Sequence, residues 1–130
     1  MRDCDWVPGG ATLIRRAVFE RFPYDLSISG AYEDNDWSLE VRKAGYQLLN
    51  APLARVIHHH MNFSEEIQKD DWYRSRRYDH EKLRRTLLSF YRKHGLLIDD
   101  EALYRFLDFE SSRDFQLWAD EELGRVASAH

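Results

Sequence analysis

The sequence predicts an α/β chain, more narrowly an α+β fragment in which a few short strands precede a mostly helical extension. Up to Ser64, short apolar runs alternate with Gly and Pro residues, a pattern typical of strands, turns and short helices. After Ser64, long charged stretches carry apolar residues at helical spacing. The predicted domains are therefore residues 1–64 and residues 65–130.

Composition narrows the class of protein. The chain has 130 residues, of which 43% are apolar and 14% aromatic, so it is long and apolar enough to form a core. No run reaches the roughly 18 apolar residues that span a bilayer. The single cysteine, Cys4, excludes an intrachain disulfide and favours a reducing compartment, so we expect a cytoplasmic location. The net charge of -4 argues against nucleic acid as a partner.

Local patterns place the elements of the first half. The turn residues Pro8, Gly9 and Gly10 suit a close approach of two backbones, and Gly45 is suited to end a helix. Trp37 and Val41 lie four residues apart and predict one buried helix face. The expected order is a turn at residues 8–10, a strand at 11–14, a helix at 15–22, a loop at 23–32, a helix at 34–44, and strands at 46–49 and 53–59.

The second half predicts helices with defined ends. One helix, or two, covers residues 65–94 and ends at Gly95, with an apolar stripe of Leu83, Leu87, Leu88 and Tyr91. Asp99 or Asp100 caps a helix that runs to residue 107 and turns Leu103, Phe106 and Leu107 inward. Ser111 or Ser112 caps a last helix. Along this helix, residues recur at intervals of three or four positions: Phe115, Trp118, Glu122 and Val126.

An acidic motif, Tyr32-Glu33-Asp34-Asn35-Asp36, stands at the start of the helix predicted for residues 34–44. The positive end of a helix dipole stabilises ionised carboxylates, and an ionised carboxylate is what a general base needs to accept a proton from a sugar hydroxyl. The ordinary alternative is a helix cap followed by first-turn acids, which are common in helices.

Three histidines, His58-His59-His60, follow the last predicted strand. In extended chain His58 and His60 share a face, and neutral imidazole suits zinc, manganese or iron. The local sequence supplies no complete ligand set, so a metal-dependent hydrolase would need His58, His60 and Asp34 together. Solvated or hydrogen-bonded histidines at a strand end are the ordinary alternative.

A basic stretch covers residues 74–85, next to Trp72 and Tyr73. It could bind the phosphates of a lipid-linked acceptor, or a membrane surface in peripheral contact. The alternative is a solvated helix face with ion pairs such as Glu81 to Arg85. The same features, with Trp118, support a rival hypothesis of a non-catalytic helical binding module. Neither glycine-rich phosphate-binding motif, GxGxxG or GxxxxGK[ST], occurs in the chain.

Taken in order, several segments resemble the C-terminal portion of family 2 glycosyltransferases. Residues 5–16 resemble a turn, strand and Arg-Arg helix start, and residues 17–25 resemble the family's "vfe…G-FDE" stretch without its glycine. Residues 32–45 match the signature "EDxDlxlRlxxaG", and residues 50–58 match "P-x-a-x-v-x-H". The resemblance covers residues 5–95.

The resemblance implies an A-type glycosyltransferase fold that transfers a sugar with inversion, as in polysaccharide biosynthesis. It makes Asp34 the catalytic base, places Glu33 beside the acceptor, and assigns Asp36 to supporting the loop. It places four residues along the bound sugars: Gly9, Gly10, Trp37 and Arg42. It also implies a Mn or Mg ion held by a histidine, which is His58 when counted from Pro52 and His59 when counted back from Ser64, with His60 adjacent.

One departure from the family is large. The nucleotide-binding strands and the DxD motif of the N-terminal half have no counterpart here, since Asp34-Asn35-Asp36 belongs to the later signature. We therefore expect a fragment that is inactive and binds no cation alone. Its partners, a nucleotide-sugar donor and a glycan or lipid-linked acceptor, would be reached through the missing half. Uncovered strand edges also predict self-association.

Overall fold

The computed structural model describes residues 1–57, 75 and 78–125. The chain forms two compact units, Met1–Asp79 and His80–His130. The domain boundary predicted between residues 64 and 65 lies outside the described residues. In the described part of the chain, helices predominate and a single small sheet is present, so the chain is mixed α and β.

The first unit combines two helices with a two-stranded sheet. Its elements are β1 (Arg2–Asp3), a 3-10 turn (Gly9–Ala11), α1 (Arg16–Arg21), α2 (Glu33–Lys43) and β2 (Leu49–Asn50). The strands pair antiparallel, with Arg2 opposite Asn50 and Asp3 opposite Leu49. The N–H of Cys4 donates to the carbonyl of Leu48 at 3.0 Å and extends the pairing by one bond.

The core of the first unit lies on one face of α2. Trp37, Val41 and Leu48 are buried, and partly buried side chains pack around them. The predicted face of Trp37 and Val41 is therefore confirmed. The helix ends as predicted near Gly45, whose φ of 87° favours glycine because an L side chain is strained there.

The strands predicted for residues 11–14 and 53–57 are wrong. Ala11 closes the 3-10 turn instead, and the Thr12 hydroxyl donates back to the carbonyl of Pro8. Leu13 is fully exposed, Leu53 is 92% exposed, and the N–H of Ala54 closes a turn onto Ala51. The strand predicted at residues 46–49 is displaced to Leu49–Asn50. A short apolar run becomes a strand only where a partner edge is available.

The second unit contains α3 (His80–His94), α4 (Glu101–Phe106) and α5 (Ser112–Glu122). The stripe predicted on α3 is confirmed for Leu83, Leu87 and Tyr91, which are buried, while Leu88 is half-buried. Gly95, with φ of 67°, follows the helix as predicted. Most of the helix predicted before residue 80 lies outside the described residues. No described helix is long and apolar enough to cross a membrane.

An aromatic cluster forms the core between α4 and α5. Tyr104 and Phe115 are fully buried with ring centroids 5.2 Å apart, and Phe109 meets Phe115 at 5.3 Å. The Tyr104 hydroxyl donates to the carbonyl of Ile98 at 3.0 Å and accepts from the N–H of Ile98 at 2.9 Å. These two bonds allow a tyrosine to be buried without an unpaired polar atom.

The inward face predicted for α4 is partly wrong, and the residues spaced along α5 are only partly buried. Leu107 is buried, but Phe106 is 42% exposed, and Tyr104 takes the core position instead. Tyr104 and Leu107 lie three residues apart on one face of the helical turn, which leaves Leu103 half-buried at its edge and turns Phe106 outward. On α5, Phe115 and Ala119 are buried while Glu122 is exposed. Val126 lies outside the described residues.

The caps of α4 and α5 resolve two alternatives left open by the sequence. The Asp100 carboxylate accepts the N–H of Leu103 at 3.1 Å, and the Ser111 hydroxyl oxygen accepts the N–H of Asp114 at 3.3 Å. Glu101, at the start of α4, accepts the N–H of Ser112 at 3.1 Å and its hydroxyl as well. The starts of the two helices are thus tied to each other.

The cap of α4 gives a first prediction. Asp100→Ala should lower the free energy of unfolding of the second unit by about 1 kcal/mol, because the N–H of Leu103 loses its acceptor. Urea denaturation followed by circular dichroism measures the change. Asp99→Ala is the matched control and should change the unfolding free energy by less than about 0.5 kcal/mol. Equal losses for the two variants would contradict the assignment of the cap.

Glu101 gives a prediction on pH. Hydrogen bonds from the Ser112 side chain and backbone lower the pKa of Glu101. A carboxyl whose pKa is lowered by folding adds stability above its unfolded pKa of about 4.3, and that stability is lost as the pH falls through the folded pKa. Ser112→Ala should therefore lower the urea midpoint at pH 7 but leave it nearly unchanged at pH 3. An equal loss at both values would refute this linkage.

Candidate functional site

The acidic motif lies where the sequence places it, at the first turn of α2. Tyr32 precedes the helix in the left-handed conformation, with φ of 64°, and its side chain makes no cap hydrogen bond. Left-handed backbone is uncommon outside glycine, asparagine and aspartate, and it is costly for a bulky side chain. The chain therefore turns sharply at Tyr32 and presents Glu33 and Asp34 on the first turn.

Asp34 is held by backbone donors on both carboxylate oxygens. Its Oδ2 accepts the N–H of Gly9 at 3.2 Å, and its Oδ1 accepts the N–H of Asn35 at 2.9 Å. A Cβ added to Gly9 would lie 4.0 Å from the Cβ of Asp34, which is an ordinary van der Waals distance. The close approach of the two segments therefore does not require glycine at position 9, contrary to expectation.

Residues 7–9, which lead into the 3-10 turn, run alongside α2 and bind it at two points. The N–H of Val7 donates to the Ser38 hydroxyl oxygen at 3.2 Å, one helical turn beyond the Gly9 to Asp34 bond. Two residues of extended chain advance about 6.6 Å and one helical turn about 5.4 Å, so alternate N–H groups can reach side chains one turn apart. This pairing aligns residues 7–9 with the acidic end of α2.

Glu33 carries a buried oxygen without a partner. Its Oε2 is shielded from solvent, and no hydrogen-bond donor reaches it in the part of the chain that the structure describes. A buried acceptor left unpaired costs about 1–3 kcal/mol, so such atoms are rare unless a ligand or water supplies a donor. Glu33 precedes Trp37 by one helical turn on the buried side of α2, which explains why its oxygen is shielded.

The other residues assigned to the site from the sequence make contacts within the first unit. Asp36 is 2% exposed and Trp37 is 5% exposed, and the Trp37 indole N–H donates to the carbonyl of Phe22 at 2.7 Å. Arg42 donates to the carbonyl of Cys4 and lies 3.5 Å from the Asp5 carboxylate. Gly10 belongs to the 3-10 turn. Their roles toward a sugar or a loop stay predictions.

Tyr24 lies beside the acidic turn, although the sequence analysis assigned this residue no role. Burial, followed by the negative charges of Asp34 and Glu33, raises the pKa of its phenol. Its ring meets Phe19 edge to face at 5.7 Å and Trp37 at 6.3 Å. Tyr24 stands in an irregular loop, where no periodic pattern marks a side chain that turns inward.

The predicted metal ligands His58, His59 and His60 lie outside the described residues. Within residues 1–57, 75 and 78–125, no group of three histidine, cysteine or acidic side chains is placed to hold a metal ion. Asp34 binds backbone N–H groups while Asp36 is buried in the unit, so the acidic motif does not converge on one point. The described donors alone therefore do not fit a divalent cation.

The basic stretch is described only from residue 78, with Ser75 before it. Arg74, Arg76 and Arg77 lie outside the described residues. The predicted ion pair of Glu81 and Arg85 is confirmed at 2.8 Å. Arg84 donates to the carbonyl of Leu107 and to the Asp108 carboxylate, and it packs over the Phe109 ring at 5.0 Å. Arg84 therefore stabilises the second unit.

Comparisons of the chain with protein-family models, with characterised proteins and with solved structures found no match. The resemblance to family 2 glycosyltransferases is thus carried by the motifs in the sequence alone.

The acidic turn gives a spectroscopic prediction. Asp34→Asn should lower the pKa of Tyr24, because one of the negative charges that disfavour its phenolate is removed. Alkaline titration of tyrosine absorbance, with Tyr24→Phe subtracted to isolate this residue, measures the shift. Glu40→Gln removes a charge elsewhere on α2 and is the matched control. A Tyr24 pKa that stays unchanged in Asp34→Asn would contradict the proximity.

Proposed function

We propose that this chain carries the acceptor-binding and base-bearing part of an inverting glycosyltransferase of the family 2 type, with an A-type fold. The reaction moves a sugar from a nucleotide-sugar donor to a hydroxyl of a glycan or lipid-linked acceptor. The proposal is supported chiefly by the Asp34 carboxylate, which the N–H of Gly9 and the N–H of Asn35 hold at the first turn of α2.

The geometry of Asp34 suits a general base. Backbone N–H donors and the positive end of the helix dipole stabilise a charged carboxylate. A carboxylate offers about four lone-pair positions, so the two bonds to Gly9 and Asn35 leave positions for a substrate hydroxyl. Because a rigid helix carries the group, it can be held within hydrogen-bond reach of the reacting proton.

The proposed chemical step is an in-line displacement at the anomeric carbon of the donor sugar. The acceptor oxygen attacks the anomeric carbon from the face opposite the leaving nucleoside diphosphate, and its proton passes to the Asp34 carboxylate. The new C–O bond forms as the bond between the anomeric carbon and the diphosphate oxygen breaks. Attack from the opposite face inverts the configuration at the anomeric carbon. Removing the proton in this step contributes about 100- to 10,000-fold to the rate.

Glu33 has a supporting role in the proposal. Its buried Oε2 needs a donor, and a second hydroxyl of the acceptor would supply one. Binding at this oxygen would fix the orientation of the acceptor ring next to Asp34. A positioning residue of this kind contributes by reducing the freedom of the bound substrate.

The donor side is assigned to residues outside this sequence, because no nucleotide-binding half with its DxD motif is present in it. The resemblance adds a Mn or Mg ion that neutralises the leaving diphosphate, with a predicted ligand among His58, His59 and His60. No step above depends on that ion. The isolated chain is expected to show no transfer, since its base has no bound donor to act upon.

The proposal is tested in the longer polypeptide or complex that joins this chain to a nucleotide-sugar-binding half. Asp34→Asn should lower kcat about 100-fold or more, because the amide cannot accept the hydroxyl proton. The dissociation constant of the nucleotide-sugar should not change, since the carboxylate acts on the acceptor. Both are measured with radiolabelled donor, by product formation and by equilibrium binding.

The matched control is Glu40→Gln, which neutralises another carboxylate of α2 away from its first turn. It should leave kcat within about twofold of the parent, as expected for a surface change. Full turnover in Asp34→Asn would remove Asp34 from the role of base. Loss of donor binding in that variant would instead assign Asp34 to the donor side.

A further inference from the structure

Three polar side chains of α2 bind one segment of the chain, residues 4–9. The three side chains are those of Asp34, Ser38 and Arg42. Their backbone partners, in the same order, are the N–H of Gly9, the N–H of Val7 and the carbonyl of Cys4. Because four residues make about one helical turn, the three side chains lie on one face of α2. We call these contacts the polar ladder.

The three contacts of the polar ladder differ in what they leave open. Ser38 is fully buried, and its oxygen accepts a backbone N–H of the segment at 3.2 Å. Arg42 donates to the Cys4 carbonyl and lies 3.5 Å from the Asp5 carboxylate. The Asp34 carboxylate keeps about two lone-pair positions beyond its two backbone bonds. Ser38 and Arg42 therefore hold the segment, while Asp34 can also accept a proton from a substrate.

Pro8 couples two of these contacts. It stands between Val7 and Gly9 in extended conformation, with φ of -72° and ψ of 139°, and its ring restricts rotation about φ. The Val7 side chain also packs against the core of the unit. We therefore expect residues 7–9 to move as one piece, so that loss of the Val7 contact loosens the Gly9 contact as well.

The Gly9 contact controls the direction of the Asp34 carboxylate. A carboxylate turns easily about its Cβ–Cγ bond, since a torsion of this type has a broad energy minimum. The N–H of Gly9 on Oδ2 and the N–H of Asn35 on Oδ1 together oppose this rotation. If the Asn35 bond acts alone, the carboxylate is held less firmly and its other lone pairs lose their fixed direction.

We propose that Ser38 and Arg42 are positioning residues for the Asp34 carboxylate. By holding residues 4–7 against α2, they keep the N–H of Gly9 on Oδ2. In calling Asp34 the base, the proposal rests on the proposed function, but the coupling of Ser38 to Gly9 requires no substrate. Arg42 then acts on the backbone of this segment rather than on a bound sugar.

The test is NMR on the isotope-labelled full chain. A scalar coupling across the hydrogen bond, between the Gly9 amide nitrogen and the Asp34 carboxyl carbon, reports the contact directly. Ser38→Ala should weaken this coupling and accelerate amide hydrogen exchange at Gly9 about fivefold, the effect of one lost hydrogen bond in a segment that opens as one piece. Arg42→Met keeps the apolar stem without the guanidinium and should change both quantities in the same direction.

Ser38→Thr keeps the hydroxyl oxygen and should restore both quantities. Ser27→Ala is the matched control, because it removes a serine hydroxyl of the same unit that bonds to Asp25. It should leave Gly9 unchanged. Circular dichroism checks each fold; if Ser38→Ala unfolds, Ser38→Cys, with its weakly accepting sulfur, carries the test. A Gly9 coupling and exchange rate like those of the parent chain in the folded Ser38 variant would overturn the proposal, as would an equal change in Ser27→Ala.

Turnover separates this proposal from the proposed function. In the longer polypeptide that includes a donor-binding half, Ser38→Ala should lower kcat roughly tenfold, because a loosely held base is less often within reach of the proton. The dissociation constant of the nucleotide-sugar should stay the same. A loosened Gly9 contact with unchanged kcat would overturn the positioning role alone. Full turnover in Asp34→Asn would instead refute the proposed base, and the coupling measured in the isolated chain would still stand.

Discussion

Burial of Trp37 is the constraint on which the candidate site depends. Its indole N–H is bonded to the carbonyl of Phe22, and its ring contacts Tyr24, so it fixes both α2 and the loop that precedes it. When one side chain of a helix is buried, the rotation of the helix about its own axis is fixed. The directions in which its other side chains point are then fixed as well. Glu33 lies one turn before Trp37 and is drawn into partial burial, while Asp34 turns toward Gly9.

Both units bury polar side-chain atoms, and one of these atoms lacks a hydrogen-bond partner among the described residues. The Tyr104 hydroxyl is paired twice with Ile98, and the Ser38 hydroxyl oxygen accepts the N–H of Val7. Among the described residues, Glu33 Oε2 is the buried side-chain atom left without a partner. Burying an unpaired acceptor is unfavourable for folding, and in the proposed function a hydroxyl of the acceptor supplies the missing donor.

Helix ends could be read from the sequence because their signals are local. A capping side chain such as Asp100 or Ser111 acts within three residues, and Gly45 and Gly95 supply a backbone conformation that other residues resist. Strands could not be read in this way, since pairing depends on an edge far away in sequence. The run at residues 11–14 found no such edge in the described structure and formed a turn and extended chain instead.

The same distinction explains which part of the candidate site was foreseen. Glu33 and Asp34 follow from a helix start that the sequence marks, whereas the contact of Asp34 with Gly9 joins residues 25 positions apart. Tyr24 joins the site through its ring contact with Trp37, and that contact depends on burial of the indole.

A carboxylate pattern alone cannot separate a cap from a base, because both need charge at a helix start. A cap needs only the helix, whereas a base must also offer a lone pair to a substrate. The Asp34 carboxylate accepts two backbone N–H groups and has about two further lone-pair positions, which is the property that the proposed role requires.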